Sequence, residues 1–239
     1  MKGFFITGTD TEVGKTLVTA GLVGAISKNG LKVGVMKPVQ SGGIISEGKL
    51  ISEDAEILLR ASGLDLPMEL VNPYCFKPAM SPDLAAGKTD VSIELIKERL
   101  NRLAARVDIV FVEGAGGIAS PLLKGWTNGD VAYALSLPVI IVSPQRLGVI
   151  NHTVLTVEYC RNRGLELIGV ILNNRKVTEK NPDNERIKLS NGKQIRVYGK
   201  VQVLGEIPYV KNAKSDQGLV KLIEATTENV NIDYIMEKI

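Results

Sequence analysis

A run of glycines, two lysines and two acids carry most of the chemistry this chain can offer. Gly8-Thr9-Asp10-Thr11-Glu12-Val13-Gly14-Lys15-Thr16 ends in Gly-Lys-Thr, a combination suited to holding phosphates. Its glycines let backbone N–H groups turn inward, Lys15 brings a fixed positive charge, and the Thr16 hydroxyl can ligate Mg²⁺. Five residues separate Gly8 from Gly14, one more than the strict pattern has. The plain alternative is a glycine-rich turn that only joins a strand to a helix. Gly-Lys-Thr at a helix start favours phosphate, because the helix dipole adds to the charge there.

Mg²⁺ beside phosphates needs only one or two carboxylates. Glu113 directly follows the apolar run Asp108-Ile109-Val110-Phe111-Val112, so a strand would deliver it to the edge of a sheet. The glycines in Gly114-Ala115-Gly116-Gly117 then allow close backbone approach to a ligand. Asp54 is the second candidate, although alone it reads as an acid favoured by the dipole of a helix capped by Ser52. Lys37, before Pro38, reads by itself as a solvated charge at a strand end.

These residues must be positioned by alternating strands and helices. Short apolar runs at Phe4–Thr7, Val33–Met36, Asp108–Val112, Val139–Val142, Leu167–Leu172 and Val203–Ile207 are separated by amphipathic stretches, the signature of βαβ units. Helices are expected from about Lys15 to Asn29, after Ser52, after Ser92 and from about Ile150 to Arg163. The fold class is therefore α/β: one doubly wound, mostly parallel sheet over residues 1–239, with ligands beyond the carboxyl ends of its strands. Alternating side chains in 186–190 and 193–197 flank Asn191-Gly192, so a β-hairpin insertion is expected around 186–197.

Bulk properties narrow the function. The chain has 239 residues, 44% hydrophobic and 23% charged, which is globular composition. A net charge of +3 without basic clusters argues against nucleic-acid and membrane partners. Cys75 and Cys160 lie far apart in no metal-type spacing and read as reduced thiols. The apolar run after Lys2 is too short for a signal peptide, and Val131–Val142 is too short to span a bilayer, so a cytoplasmic protein is expected.

The motifs resemble those of dethiobiotin synthetases. The phosphate loop matches with its extra residue, as do Lys37-Pro38-Val39-Gln40-Ser41-Gly42, Asn72-Pro73-Tyr74, Ser81-Pro82, Glu113-Gly114-Ala115-Gly116-Gly117, Leu147-Gly148-Val149-Ile150-Asn151-His152 and Gly205-Glu206-Ile207-Pro208. Together they cover about residues 3–174 and 203–210 in order.

The resemblance implies a P-loop ATP-dependent ligase with Mg²⁺ as cofactor. Its substrates would be 7,8-diaminopelargonate, CO₂ and ATP, joined into a ureido ring through a carbamate and a carbamic-phosphoric anhydride. It implies Lys37, Lys15 and Thr11 as catalytic residues. It implies ATP contacts from Glu12, Val13, Gly14, Lys15, Thr16, Leu17, Asp54, Glu113, Gly114, Ala115 and Gly116 around the phosphates, and from Asn173, Asn174, Ile207, Pro208 and Tyr209 around the adenine. Thr16, Asp54 and Glu113 would hold the metal. Thr11, Lys37, Ser41, Gly148, Val149 and Asn151 would hold the diamine, the last three lent by a partner subunit in a homodimer with shared sites. Thr11 on the loop could equally serve ATP alone, and Asn151 could be an ordinary first-turn residue. Arg146 stands where the resemblance implies a lysine, exchanging a point charge for a planar fork.

Two rival readings remain on residues alone. A glutamine-dependent relative would carry a further domain with a nucleophilic cysteine, for which this chain has no room. An ATP-switched partition protein would have a lysine early in the loop, where Thr9 and Asp10 stand.

Overall fold

The computed structural model describes residues 1–176 and 182–239; residues 177–181 lie outside the described set. Its main sheet has six strands: β1 (Gly3–Gly8), β2 (Val33–Met36), β3 (Ile109–Gly117), β4 (Val139–Pro144), β5 (Leu167–Asn173) and β6 (Val203–Ile207). They lie in the order β6-β5-β4-β1-β3-β2, every neighbouring pair parallel. The helices of eight residues or more, among the described residues, are α1 (Lys15–Ser27), α2 (Glu53–Ser62), α3 (Ile93–Ala104), α4 (Asn128–Leu135), α5 (Val149–Asn162), α6 (Pro182–Gly199) and α7 (Asp216–Asn229).

The strands form where the sequence places apolar runs, and β1, β2 and β4 are buried throughout because helices cover them. Chain order explains the cleft. From β1 the chain crosses toward β2 at one edge, whereas from β4 it crosses toward β5 and the other edge. Right-handed crossovers then put α1 and α5 on opposite faces. The loops after β1 and β4 diverge and open a crevice above the strand tips. α1 packs against α2 and α7, α5 against α6, and α3 against β2 and β3.

Local signals hold at the helix ends. The Ser52 hydroxyl accepts from Ala55 N at the start of α2, and the Ser92 hydroxyl accepts from Glu94 N and Leu95 N at the start of α3. β3 continues beyond the expected end at Val112. It pairs Ile6 with Glu113 and Gly8 with Gly117, so its glycine segment bulges between those two pairs. No helix among the described residues is long and apolar enough to cross a membrane.

The expected β-hairpin over 186–197 is not formed; these residues belong to the continuous helix α6. Tertiary packing overrides the Asn-Gly turn signal. Ile187, Asn191 and Ile195 follow one another at four-residue spacing on one face, Ile187 half-buried and the other two buried, while Leu189 and Val197 face outward. The Asn191 amide donates to Gln145 Oε1 at 2.5 Å and to Arg146 O at 3.3 Å, joining α6 to the loop after β4.

Candidate active site

The phosphate loop hangs between β1 and α1. Gly14 caps α1 in the left-handed conformation, with φ 90°, and its bare Cα faces the Asn173 side chain. Any Cβ there would collide with that amide, so both backbone shape and packing require glycine. Lys15 follows as the first helical residue. Its ammonium folds back over the loop and donates to the Asp10 carbonyl at 3.2 Å.

Below the loop lies a buried cluster of charge. Glu113 has no solvent exposure and sits at the centre. Its Oε1 accepts from the Thr16 hydroxyl at 2.9 Å and from Lys37 Nζ at 2.7 Å, and its Oε2 lies 2.9 Å from the Thr19 hydroxyl. Lys37 Nζ also donates to Gly114 O at 3.1 Å and meets Asp54 Oδ2 at 3.1 Å. The pyrrolidine of Pro38 fixes the chain after Lys37, and the buried Asn72 amide donates to the Lys37 carbonyl at 2.6 Å. The lysine that looked solvated in sequence is therefore locked between two acids.

The two lysines experience opposite fields. Burial, and then the neighbouring Lys37 charge, push Lys15 down to about 8. Burial would also lower Lys37, but Glu113 and Asp54 together outweigh it and hold that ammonium up at about 12. Asp54 is held below its ordinary value: burial raises it, and the Lys37 charge, the Thr16 hydroxyl and Lys214 prevail. Two carboxylates and a hydroxyl thus converge beside a phosphate loop, an all-oxygen donor set that fits Mg²⁺.

The cleft above these groups has a volume of about 840 Å³. It brings together Thr11, Glu12, Gly14, Lys15, Thr16, Leu17, Lys37, Ser41, Asp54, Glu113, Ala115 and Gly116, with Asn173, Asn174, Pro208 and Tyr209 at its other end. The ends of β5 and β6 adjoin because Asn173 pairs with Ile207. Val13 and Ile207 do not line the cleft: their side chains are buried in the core and their carbonyls accept from the Asn173 and Asn174 amides. Gly114 turns its carbonyl to Lys37. The Asn173 amide donates to Val13 O at 2.9 Å, tying this end to the phosphate loop. The Asn174 amide donates to Glu206 and to Ile207 O, leaving its buried Oδ1 without a donor.

Gly148, Val149 and Asn151 do not line this cleft. They start α5 on the far side of the phosphate loop, where Gly148 and Asn151 are exposed and the Val149 side chain enters the core. Arg146, beside them, reaches Asp10 at 4.0 Å. Both cysteines are free, with Cys160 pushed up to about 12 by burial.

Two supporting residues escaped the sequence reading. Thr19, one turn beyond Lys15, shares its hydroxyl between Lys15 O and Glu113 Oε2, each at 2.9 Å; its place one helical turn after the loop lysine was the available signal. Asn128, fully buried, donates to Ala115 O, Gly117 O and Ser120 O and accepts from Ala115 N, so one amide moulds the glycine segment after Glu113. Nothing local in the sequence marks it.

A parallel sheet whose first strand feeds a lysine-bearing phosphate loop defines a P-loop type of nucleotide-binding protein. In solved structures the fold is similar to a chain of the MinC:MinD cell division protein complex of Aquifex aeolicus (TM-score 0.56, 15% identity, 99% of this chain and 95% of that one). It is equally similar to a ParA family ATPase from Chlorobium tepidum TLS (TM-score 0.56, 15% identity, 98% of each chain). These likenesses concern the fold alone. A family model described as an AAA domain matches residues 2–217. The chain is 41% identical over 220 residues to the ATP-dependent dethiobiotin synthetase BioD of Anoxybacillus flavithermus, covering 91% of this chain and 96% of that one. It is 36% identical over 242 residues to that of Bacillus subtilis, covering 100% and 99%. The chain belongs to the ATP-dependent dethiobiotin synthetase family.

Proposed function

We propose that residues 1–239 form one ATP-binding ligase unit that closes the ureido ring of dethiobiotin from 7,8-diaminopelargonate, CO₂ and ATP. The observation that carries this reading is the pairing of two buried lysines at the strand tips, Lys15 folded over the phosphate loop and Lys37 held between Glu113 and Asp54. One amine of the substrate gives its lone pair to CO₂ and loses a proton, forming a carbamate. A carbamate oxygen attacks the γ-phosphorus and ADP departs. The second amine attacks the carbamoyl carbon, expels phosphate and closes the ring.

The work of the protein is alignment and charge neutralisation. Lys37 bridges carbamate and γ-phosphate, and its high affinity for its proton keeps it a cation throughout. Lys15 follows the phosphates as charge moves to the bridging oxygen. Thr11 and Ser41 donate hydrogen bonds to the carbamate and diamine. Thr16, Asp54 and Glu113 would hold Mg²⁺, which when bound offsets phosphate charge. The Asn174 end, with Ile207, Pro208 and Tyr209, receives adenine, whose amino group would supply the donor that the buried Asn174 Oδ1 lacks.

The starts of α5 in two copies complete each other's sites: Gly148, Val149 and Asn151 lie outside their own cleft, and Leu147 beside them is 81% exposed. The enzyme works in the cytoplasm as a homodimer. The test is phosphate release from ATP with and without the diamine and bicarbonate. Release that needs both supports the ligase; turnover indifferent to the diamine points instead to a nucleotide-driven switch.

A further inference from the structure

One charged side chain at the base end has no part in the chemistry above. Arg175 follows Asn173-Asn174 at the tip of β5. Its aliphatic stem crosses the phosphate loop, with Cγ 3.9 Å from where a Cβ on Gly14 would stand. Its guanidinium stops 3.7 Å from the Glu12 carboxylate, and the two side chains are 49% and 82% exposed. That separation is too long for a hydrogen bond, and so exposed a pair holds weakly. Arg175 lines the cleft and also the neighbouring cavity beyond the phosphate loop, so its head stands on the ridge between them.

Across the same end of the cleft are Pro208 and Tyr209, beside Arg175 because β5 and β6 end in register. A planar base entering there meets ring surfaces on one wall. The other wall is a long side chain whose head is flat, weakly hydrated and only loosely retained. A guanidinium stacks on aromatic faces better than an ammonium does.

We propose that Arg175 is a movable wall of the base pocket: on nucleotide binding its guanidinium leaves Glu12 and lies over the purine, setting how tightly the base, as distinct from the triphosphate, is held. This rests on the reading that ATP occupies the phosphate loop. The Arg175 stem already lies beside Gly14, so only the last torsions of the side chain must turn.

The experiment measures calorimetric affinities of ATP and of inorganic tripolyphosphate, both with Mg²⁺, for the unmodified protein, Arg175→Ala and Arg175→Lys. Arg175→Ala should weaken ATP about tenfold and leave tripolyphosphate unchanged, with Arg175→Lys falling between. Equal weakening of both ligands would make Arg175 a phosphate contact and overturn the proposal. Unchanged ATP affinity would overturn it too, leaving the side chain with Glu12. If the unmodified protein bound neither ligand, the nucleotide reading itself would fail, a result separable from the other two.

Discussion

At the phosphate end of the cleft, Lys37, Glu113, Asp54, Thr16 and Thr19 satisfy one another inside the protein, with Lys37 and Glu113 almost wholly shielded from solvent. At the base end, Asn174 keeps a buried acceptor without a donor and Arg175 leans on Glu12 across 3.7 Å. The first end is built before any ligand arrives; under the proposed function the second is finished by one. Preorganised charge matters most where charge develops in a transition state, and adaptable contacts suffice where a group is only held. The contrast can be broken, or made sharper, at several residues.

The largest effect belongs to Lys37. Lys37→Ala should lower the rate of ring closure by about 10²–10³-fold or more while ATP still binds. It also strands Glu113 beside Asp54, and losing one member of a buried pair costs on the order of 3–5 kcal/mol of stability. Product formation and a urea melt read the two losses separately. Near-normal turnover would detach the prebuilt cluster from the chemistry.

Lys15 gives a smaller effect with a definite sign. Its value is about 8 in the folded protein against 10.5 for an ordinary lysine. Across that interval the unfolded chain holds a proton the folded chain has released, so stability rises with pH, by about 3 kcal/mol over the whole window. Lys37 acts the other way: its contribution is present below 10.5 and is lost as pH climbs through about 12. Urea midpoints for the unmodified protein and Lys15→Met, compared from about pH 7.5 to 10.5, isolate the Lys15 slope. ATP should restore the proton, so titration near pH 9 in buffers of different ionisation enthalpy should register uptake of about one proton. A variant whose melts track the unmodified protein would show that burial does not tune Lys15.

The phosphate end was legible in the sequence because its parts are contiguous or sit where a strand ends. Gly14-Lys15-Thr16 opens α1, Glu113 lies at the bulge of β3, and Ser52 caps the helix that carries Asp54. Legibility failed where a role depends on a distant partner. Asn128 looks like any first-turn residue until it meets Ala115 and Gly117. Asn173 reads as a free amide until Val13, 160 residues away, accepts from it. Asn191-Gly192 carries a strong local turn signal, and only contact with Gln145 and the sheet decides for a helix.

That last misreading supplies the smallest and most pointed test. Gly192 lies inside α6, and a Cβ there would stand 3.6 Å from Leu172 Cδ1 and 3.8 Å from Val203 Cγ1, ordinary van der Waals distances. Glycine within a helix wastes backbone entropy that alanine does not, so Gly192→Ala should stabilise the protein by about 0.4–1 kcal/mol. In an Asn-Gly hairpin turn the same glycine would need positive φ, and alanine would cost stability instead. The sign of the shift in urea midpoint therefore separates helix from hairpin. Because α6 reaches the loop after β4 through Asn191, stiffening it should leave Lys37-dependent turnover unchanged, since Ile187 and Lys188 of α6 line the neighbouring cavity and no residue of α6 lines the cleft.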